Sequence, residues 1–157
     1  MDREQPPTVM VLPRQPRLDR LLAVLPIAQA QQHHGVEVLA LAVEIYTAGF
    51  VVTFQMQSHG AVPFIDDAPA LALRVTDDRG GPYPIQRSGA TGEGVRGDWQ
   101  WRLAYRCTPA LDAHARTLHL EIADITWRRH DTARQRFVPA RIVSGPWLFT
   151  VALLPHT

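Results

Sequence analysis

Asp98-Trp-Gln-Trp-Arg-Leu-Ala-Tyr-Arg-Cys107 decides the fold. Trp99, Trp101, Leu103, Tyr105 and Cys107 share one side, and Gln100, Arg102, Ala104 and Arg106 share the other. A period of two is that of a β-strand with one face buried and one face in water. The bulky residues predict the inner wall of a sheet, and the arginines its wet face.

The same rhythm continues on both sides. Val36–Tyr46 reads as a long strand, with Leu39, Leu41, Val43 and Ile45 on one face and Val38, Ala40 and Ala42 on the other. A strand apolar on both faces is expected to meet a second element or a partner chain. Thr47-Ala-Gly49 is a tight turn, and Phe50–Ser58 alternates after it, so the two runs predict a hairpin. Leu21–Gln29 predicts a first strand interrupted by Pro26, followed by a turn over Gln31–Gly35. Ala70–Thr76 predicts a strand that ends in the turn Asp77-Asp-Arg-Gly-Gly81, with a short strand over Tyr83–Arg87. The four glycines of Ser88–Gly97 predict a flexible loop. Arg116–Thr126, Phe137–Ile142 and Trp147–Leu154 supply further strands, with a turn at Ser144-Gly-Pro146. Helical periodicity is nearly absent. Eight to nine short strands predict an all-β antiparallel two-sheet sandwich, immunoglobulin-like or jelly-roll-like.

Residues 1–20, with Pro6, Pro7, Pro13 and Pro16, predict an extended N-terminal arm suited to strand swapping or a partner contact. Residues 21–157 then form one sandwich domain. A chain of 157 residues buries roughly 70% of its unfolded surface and needs no staple. Its 46% hydrophobic content argues against disorder.

All 16 cationic residues are arginine, and 15 acidic residues balance them to a net charge of +1. That balance argues against a dedicated nucleic-acid binder, which carries a clear basic excess. The one cysteine, Cys107, excludes an internal disulfide and falls in the apolar row, where an inert thiol is expected. Met1–Pro7 lacks the basic-then-apolar order of a signal peptide. No apolar run approaches the ~20 residues of a membrane span. Read as it stands, the chain is expected in the cytoplasm; removal of an export signal from its front would place it outside.

Gly35-Val-Glu-Val, Val43-Glu-Ile-Tyr-Thr-Ala-Gly-Phe50, Val75-Thr-Asp-Asp-Arg-Gly80 and Gly145-Pro-Trp-Leu-Phe together resemble uncharacterised bacterial proteins with an immunoglobulin-like sandwich. Some such relatives look like the extracytoplasmic halves of anti-sigma-factor proteins. The resemblance spans residues 21–154, and it implies a fold but no catalytic residues.

Candidate chemistry is sparse. His33, His34 and His59 flank the open end of the Val36–Ser58 hairpin, where three imidazoles could hold zinc or copper; adjacent histidines in a polar loop are ordinarily just solvated. Asp66-Asp67 and Asp77-Asp78 could offer calcium some carboxylates, but seven strand residues, ~23 Å, separate the two loops. There is no Gly-x-Ser-x-Gly elbow, and the glycines at 89, 92, 94 and 97 lack the Lys-Ser/Thr of a phosphate loop. No cofactor is expected. Arg102 and Arg106, with Trp127 and Arg128, are the candidate partner contacts, because exposed cations beside aromatics stack and pair well. The reading that follows is a non-enzymatic interaction or self-assembly module. A metal- or small-ligand-binding sandwich is the alternative, and a hydrolase or sugar-binding jelly roll is a third reading.

Overall fold

A computed structural model describes residues 18–58, 68–95 and 98–153. Its strands are β1 (Leu21–His33), β2 (Val36–Tyr46), β3 (Phe50–Ser58), β4 (Ala70–Asp77), β5 (Ile85–Val95), β6 (Asp98–Cys107), β7 (Thr117–Asp131) and β8 (Arg136–Ala152). All pairings are antiparallel. One sheet has the order β1-β2-β3-β6-β5 and the other β4-β7-β8. No helix occurs among the described residues. Residues 1–17 of the expected arm lie outside the described residues; Leu18 is buried, and its carbonyl accepts from the Ala48 amide at 3.3 Å.

The opening stretch lies where its alternation puts it, between β3 and β5. Leu103, Tyr105 and Cys107 stand opposite Phe54, Val52 and Phe50, and all six are buried. Trp99 and Trp101 are partly buried against the same core. The second sheet contributes Leu118, Leu120, Ile122, Ile125, Trp127, Trp147 and Phe149. Each such large side chain stabilises the fold by roughly 1.5–3 kcal/mol through water exclusion.

The structure departs from simple alternation at two bulges. In β2, Ala40 pairs with Phe54 and Ala42 with Thr53, so Leu41 is an extra residue. Val36, Val38 and Ala40 therefore point inward before it, and Val43 and Ile45 after it, while Leu39, Leu41 and Ala42 are half-buried on the outer face. The expected face of Leu39, Leu41, Val43 and Ile45 is thus split between the two sides. In β7, the step from Ile122 to Ile125 matches the shorter step from Leu73 to Leu71 on β4. A bulge restores inward pointing one residue late, so Ile125 and Trp127 join the core.

The glycine-rich segment forms a strand instead of a loop. Gly89, Ala90, Thr91 and Gly92 pair with Ala104, Leu103, Arg102 and Trp101. A Cβ on Gly92 would stand 2.4 Å from Trp101 Cδ2, so glycine here gives room for an indole. Two expected turns are partly or wholly strand. Gln31 to His33 continue β1, and Ser144-Gly-Pro146 is an irregular step inside β8.

Candidate interaction surface

β1 ends the five-stranded sheet and β8 ends the three-stranded one. The two edges are bridged by side chains. Gln29 Nε2 donates to the Thr150 carbonyl at 3.0 Å. Gln31 Nε2 donates to the Leu148 carbonyl, and the Leu148 amide returns a bond to Gln31 Oε1 at 2.7 Å. The Gln31 amide thereby stands in for a neighbouring strand and satisfies edge groups that would otherwise be open. Below it, the His33 ring meets Trp147 edge-on, with centroids 5.3 Å apart. Trp147 Nε1 donates to the Val36 carbonyl at 3.3 Å.

The two strands also carry Leu21, Leu22 and Val24 of β1 and Phe137, Ile142 and Leu148 of β8, of which Leu148 lies at the seam. They are 46–60% exposed and are all the exposed large hydrophobics among the described residues. Single exposed apolar residues are ordinary, whereas their confinement to two strands that meet across the seam is not. In the sequence its signal is the run Leu21-Leu22-Ala-Val24, which is apolar at successive positions and so cannot hide all of its side chains on one face.

The four expected partner contacts do not share one surface. Arg102 is exposed on the outer face of the five-stranded sheet, beside Gln55, Thr91, Gly92 and Gln100 around a shallow depression. Arg106 is half-buried on the same strand. Arg128 is half-buried on the other sheet. Trp127 follows Ile125 outside the row of Leu118, Leu120 and Ile122, which leaves it either exposed or turned inward by a bulge; the β7 bulge turns it inward, at 1% exposed. The Arg141 guanidinium lies 5.5 Å from its ring centroid, a cation–π contact.

The expected metal ligands occupy different surroundings. His33 packs on Trp147. His34 has φ 51° and Gly35 φ 79°, and with His33 paired to Val36 they form a two-residue hairpin loop that needs two positive φ values. His59 and Asp66-Asp67 lie outside the described residues. Among the described residues no group of three His, Cys, Asp or Glu side chains could hold a metal ion.

Asp77 closes a latch at the far end of the sandwich. It is 5% exposed and accepts from Tyr83 Oη at 2.6 Å, the Arg79 amide at 2.9 Å and the Gly81 amide at 3.2 Å. Burial pushes its carboxyl up, but the Tyr83 hydroxyl and the two amides outweigh that and hold it below the usual range. Burial and the Asp77 carboxylate push the Tyr83 phenol up to about 12. The Asp112 amide donates to Tyr83 Oη at 3.2 Å, and Arg79 Nε lies 3.6 Å from Asp112 Oδ2. Asp78 accepts from the Arg116 amide at 3.0 Å. Protein donors thus engage the Asp77-Asp78 pair, which pins the turn after β4 to the segment before β7. Cys107 is fully buried, and burial pushes its thiol up to about 12, so it stays a neutral core group at physiological pH.

The fold is that of a two-sheet antiparallel β protein with exposed apolar side chains on the edge strands β1 and β8. No family model matches the chain, and no curated protein matches it. It is similar in structure to the conserved domain protein from Bacillus anthracis, with a TM-score of 0.58 and 13% identity, over 84% of this chain and 49% of the neighbour. The chain therefore spans about half of that neighbour's length, and at this identity the likeness is one of fold. Among the described residues no helix is long and apolar enough to cross a membrane.

Proposed function

We propose that this chain is a non-enzymatic, immunoglobulin-like interaction module whose β1/β8 side docks on a polypeptide, either a second copy or another protein. One observation carries the reading: all six exposed large hydrophobics among the described residues lie on those two edge strands. The seam between them is already closed by the Gln29 and Gln31 amides. The apolar rim is therefore not needed to hold the two sheets together there, and it is free for association. The engaged Asp77 carboxylate and the buried Cys107 thiol favour a structural use of the two groups best suited to chemistry.

A photo-activatable residue in place of Val24 or Leu148 tests this in the native host. Adducts with a polypeptide are expected from both positions. Ala72, exposed on β4 at the opposite edge of the three-stranded sheet, is expected to give none. Equal yields from all three positions, or no adduct from Val24 and Leu148, would overturn the proposal.

A further inference from the structure

β4 accompanies β7 only as far as Thr126. Beyond it, among the described residues, Trp127–Asp131 and Arg136–Arg141 pair only with each other. They form a two-stranded ribbon about 15 Å long at ~3.3 Å per residue. Between Trp127 and Ile142 stand Arg128, Arg129, Arg134, Arg136 and Arg141 against one acid, Asp131. Five positive and one negative side chain give the segment +4; the whole chain is +1, so the remainder is −3.

The one carboxylate is occupied locally. Asp131 Oδ1 accepts from the Ala133 and Arg134 amides at 3.1 and 3.3 Å, and Oδ2 lies 3.8 Å from Arg134 Nε. Among the described residues no carboxylate pairs with Arg128, Arg129 or Arg136. Phe137, edge-on to His130 with centroids 5.3 Å apart, is 46% exposed and Ile142 is 60% exposed. Protection of an edge strand needs a charge or a proline, and Pro139 already supplies one. It does not call for an excess of four guanidinium charges.

We infer that the ribbon reads the partner's charge: it fits an acidic polypeptide segment, rich in Asp and Glu with apolar residues between them. This rests on the reading of the β1/β8 side as a docking face, of which Phe137 and Ile142 form one end. Arg128, Arg129 and Arg136 take the carboxylates, and Phe137 and Ile142 take the apolar side chains. Two other polyanions fit less well. A nucleic-acid duplex gains affinity from many phosphate contacts, but it would run from the ribbon over a body of opposite sign and leave Phe137 and Ile142 unused. An anionic bilayer is entered by apolar side chains, whereas the ribbon tip, Thr132-Ala-Arg-Gln135, is polar.

The test is fluorescence anisotropy with four labelled probes at physiological salt: a peptide of alternating Glu and Phe, its Glu and Ser counterpart, a DNA duplex, and phosphatidylglycerol vesicles. The full chain is expected to bind the Glu and Phe peptide most tightly. The R129E/R136E variant is expected to weaken that binding roughly fivefold or more, from two exposed ion pairs, and to keep the parent's thermal unfolding. Phe137→Ser is expected to erase the preference for Phe over Ser in the peptide. Tighter binding of duplex or vesicles, no peptide binding, or a peptide affinity unchanged in the charge-reversed variant would each overturn the inference. If Val24 adducts persist in that variant, the acidic partner falls while the docking face stands. If Val24 gives no adduct in the parent, the docking face itself falls.

Discussion

Tyr83→Phe removes one oxygen from the Asp77 latch and leaves the rest of the side chain in place. The ring keeps its edge-on contact with Phe50, with centroids 5.0 Å apart, so no cavity forms. The hydrogen bond from Tyr83 Oη to Asp77 Oδ2 is lost, 2.6 Å long and made to an ionised group at a site only 8% exposed. Bonds to charged groups contribute about 1.5–3 kcal/mol. The Asp112 amide also loses its acceptor at 3.2 Å, but Asp112 is exposed and water replaces that bond at little cost. The expected loss is about 2 kcal/mol. It should be seen as a lower urea midpoint at unchanged slope and a Tm lower by about 4–8 °C for a chain of this size. The pH dependence has a fixed sign. Asp77 titrates below its ordinary 3.8 in the folded state, so its contribution is complete above that pH and is lost as pH falls through the folded value. Tyr83 titrates at about 12 instead of 10.0, so its contribution is complete below pH 10 and is lost as pH rises toward 12. The stability gap between parent and variant should therefore narrow at both extremes. A variant within about 0.5 kcal/mol of the parent at neutral pH, below the range for a bond to a charged group, would refute the latch.

Gly92→Ala should displace Trp101, because the new Cβ would stand 2.4 Å from its ring; a loss of about 1–3 kcal/mol and a red-shifted tryptophan emission are expected. Gln31→Ala should cost about 1–2 kcal/mol through its two bonds to Leu148 and open the β8 edge, which urea titration and light scattering read together. Cys107 should resist a maleimide at pH 8 in the folded protein and react promptly in urea, since burial pushes its thiol up to about 12.

The strands with clean alternation were legible to the residue. Phe50–Ser58 matches β3 and Asp98–Cys107 matches β6, because one wet and one dry face impose a period of two; the bounds of Val36–Tyr46 also match β2, although its alternation breaks at Leu41. What periodicity cannot register is an extra residue whose effect depends on the facing strand. Leu41 and the bulge after Ile122 each exchange inside for outside, and that is why Leu39 faces outward and Trp127 inward. Gly92 is weak strand material by itself and fits only because Trp101 needs its space. Gln29 and Gln31 read as polar punctuation because their partners, Thr150 and Leu148, stand 121 and 117 residues away. The exposed apolar side chains were half visible: an apolar excess near the first strands could be read, but the meeting of β1 with β8 is a property of sheet order. The cationic ribbon was hidden by a whole-chain charge near zero, which averages the ribbon against an acidic remainder.

Hydroxyl-radical footprinting of Leu21, Leu22, Val24, Ile142 and Leu148, in intact host cells and in dilute purified protein, tests most directly whether the β1/β8 side is a covered surface. These side chains are about half exposed in the isolated chain. The account predicts ready oxidation of the purified protein and strong protection in the cell, with Ala72 and Arg79 modified equally in both. Equal oxidation of the five residues in the two settings would contradict it.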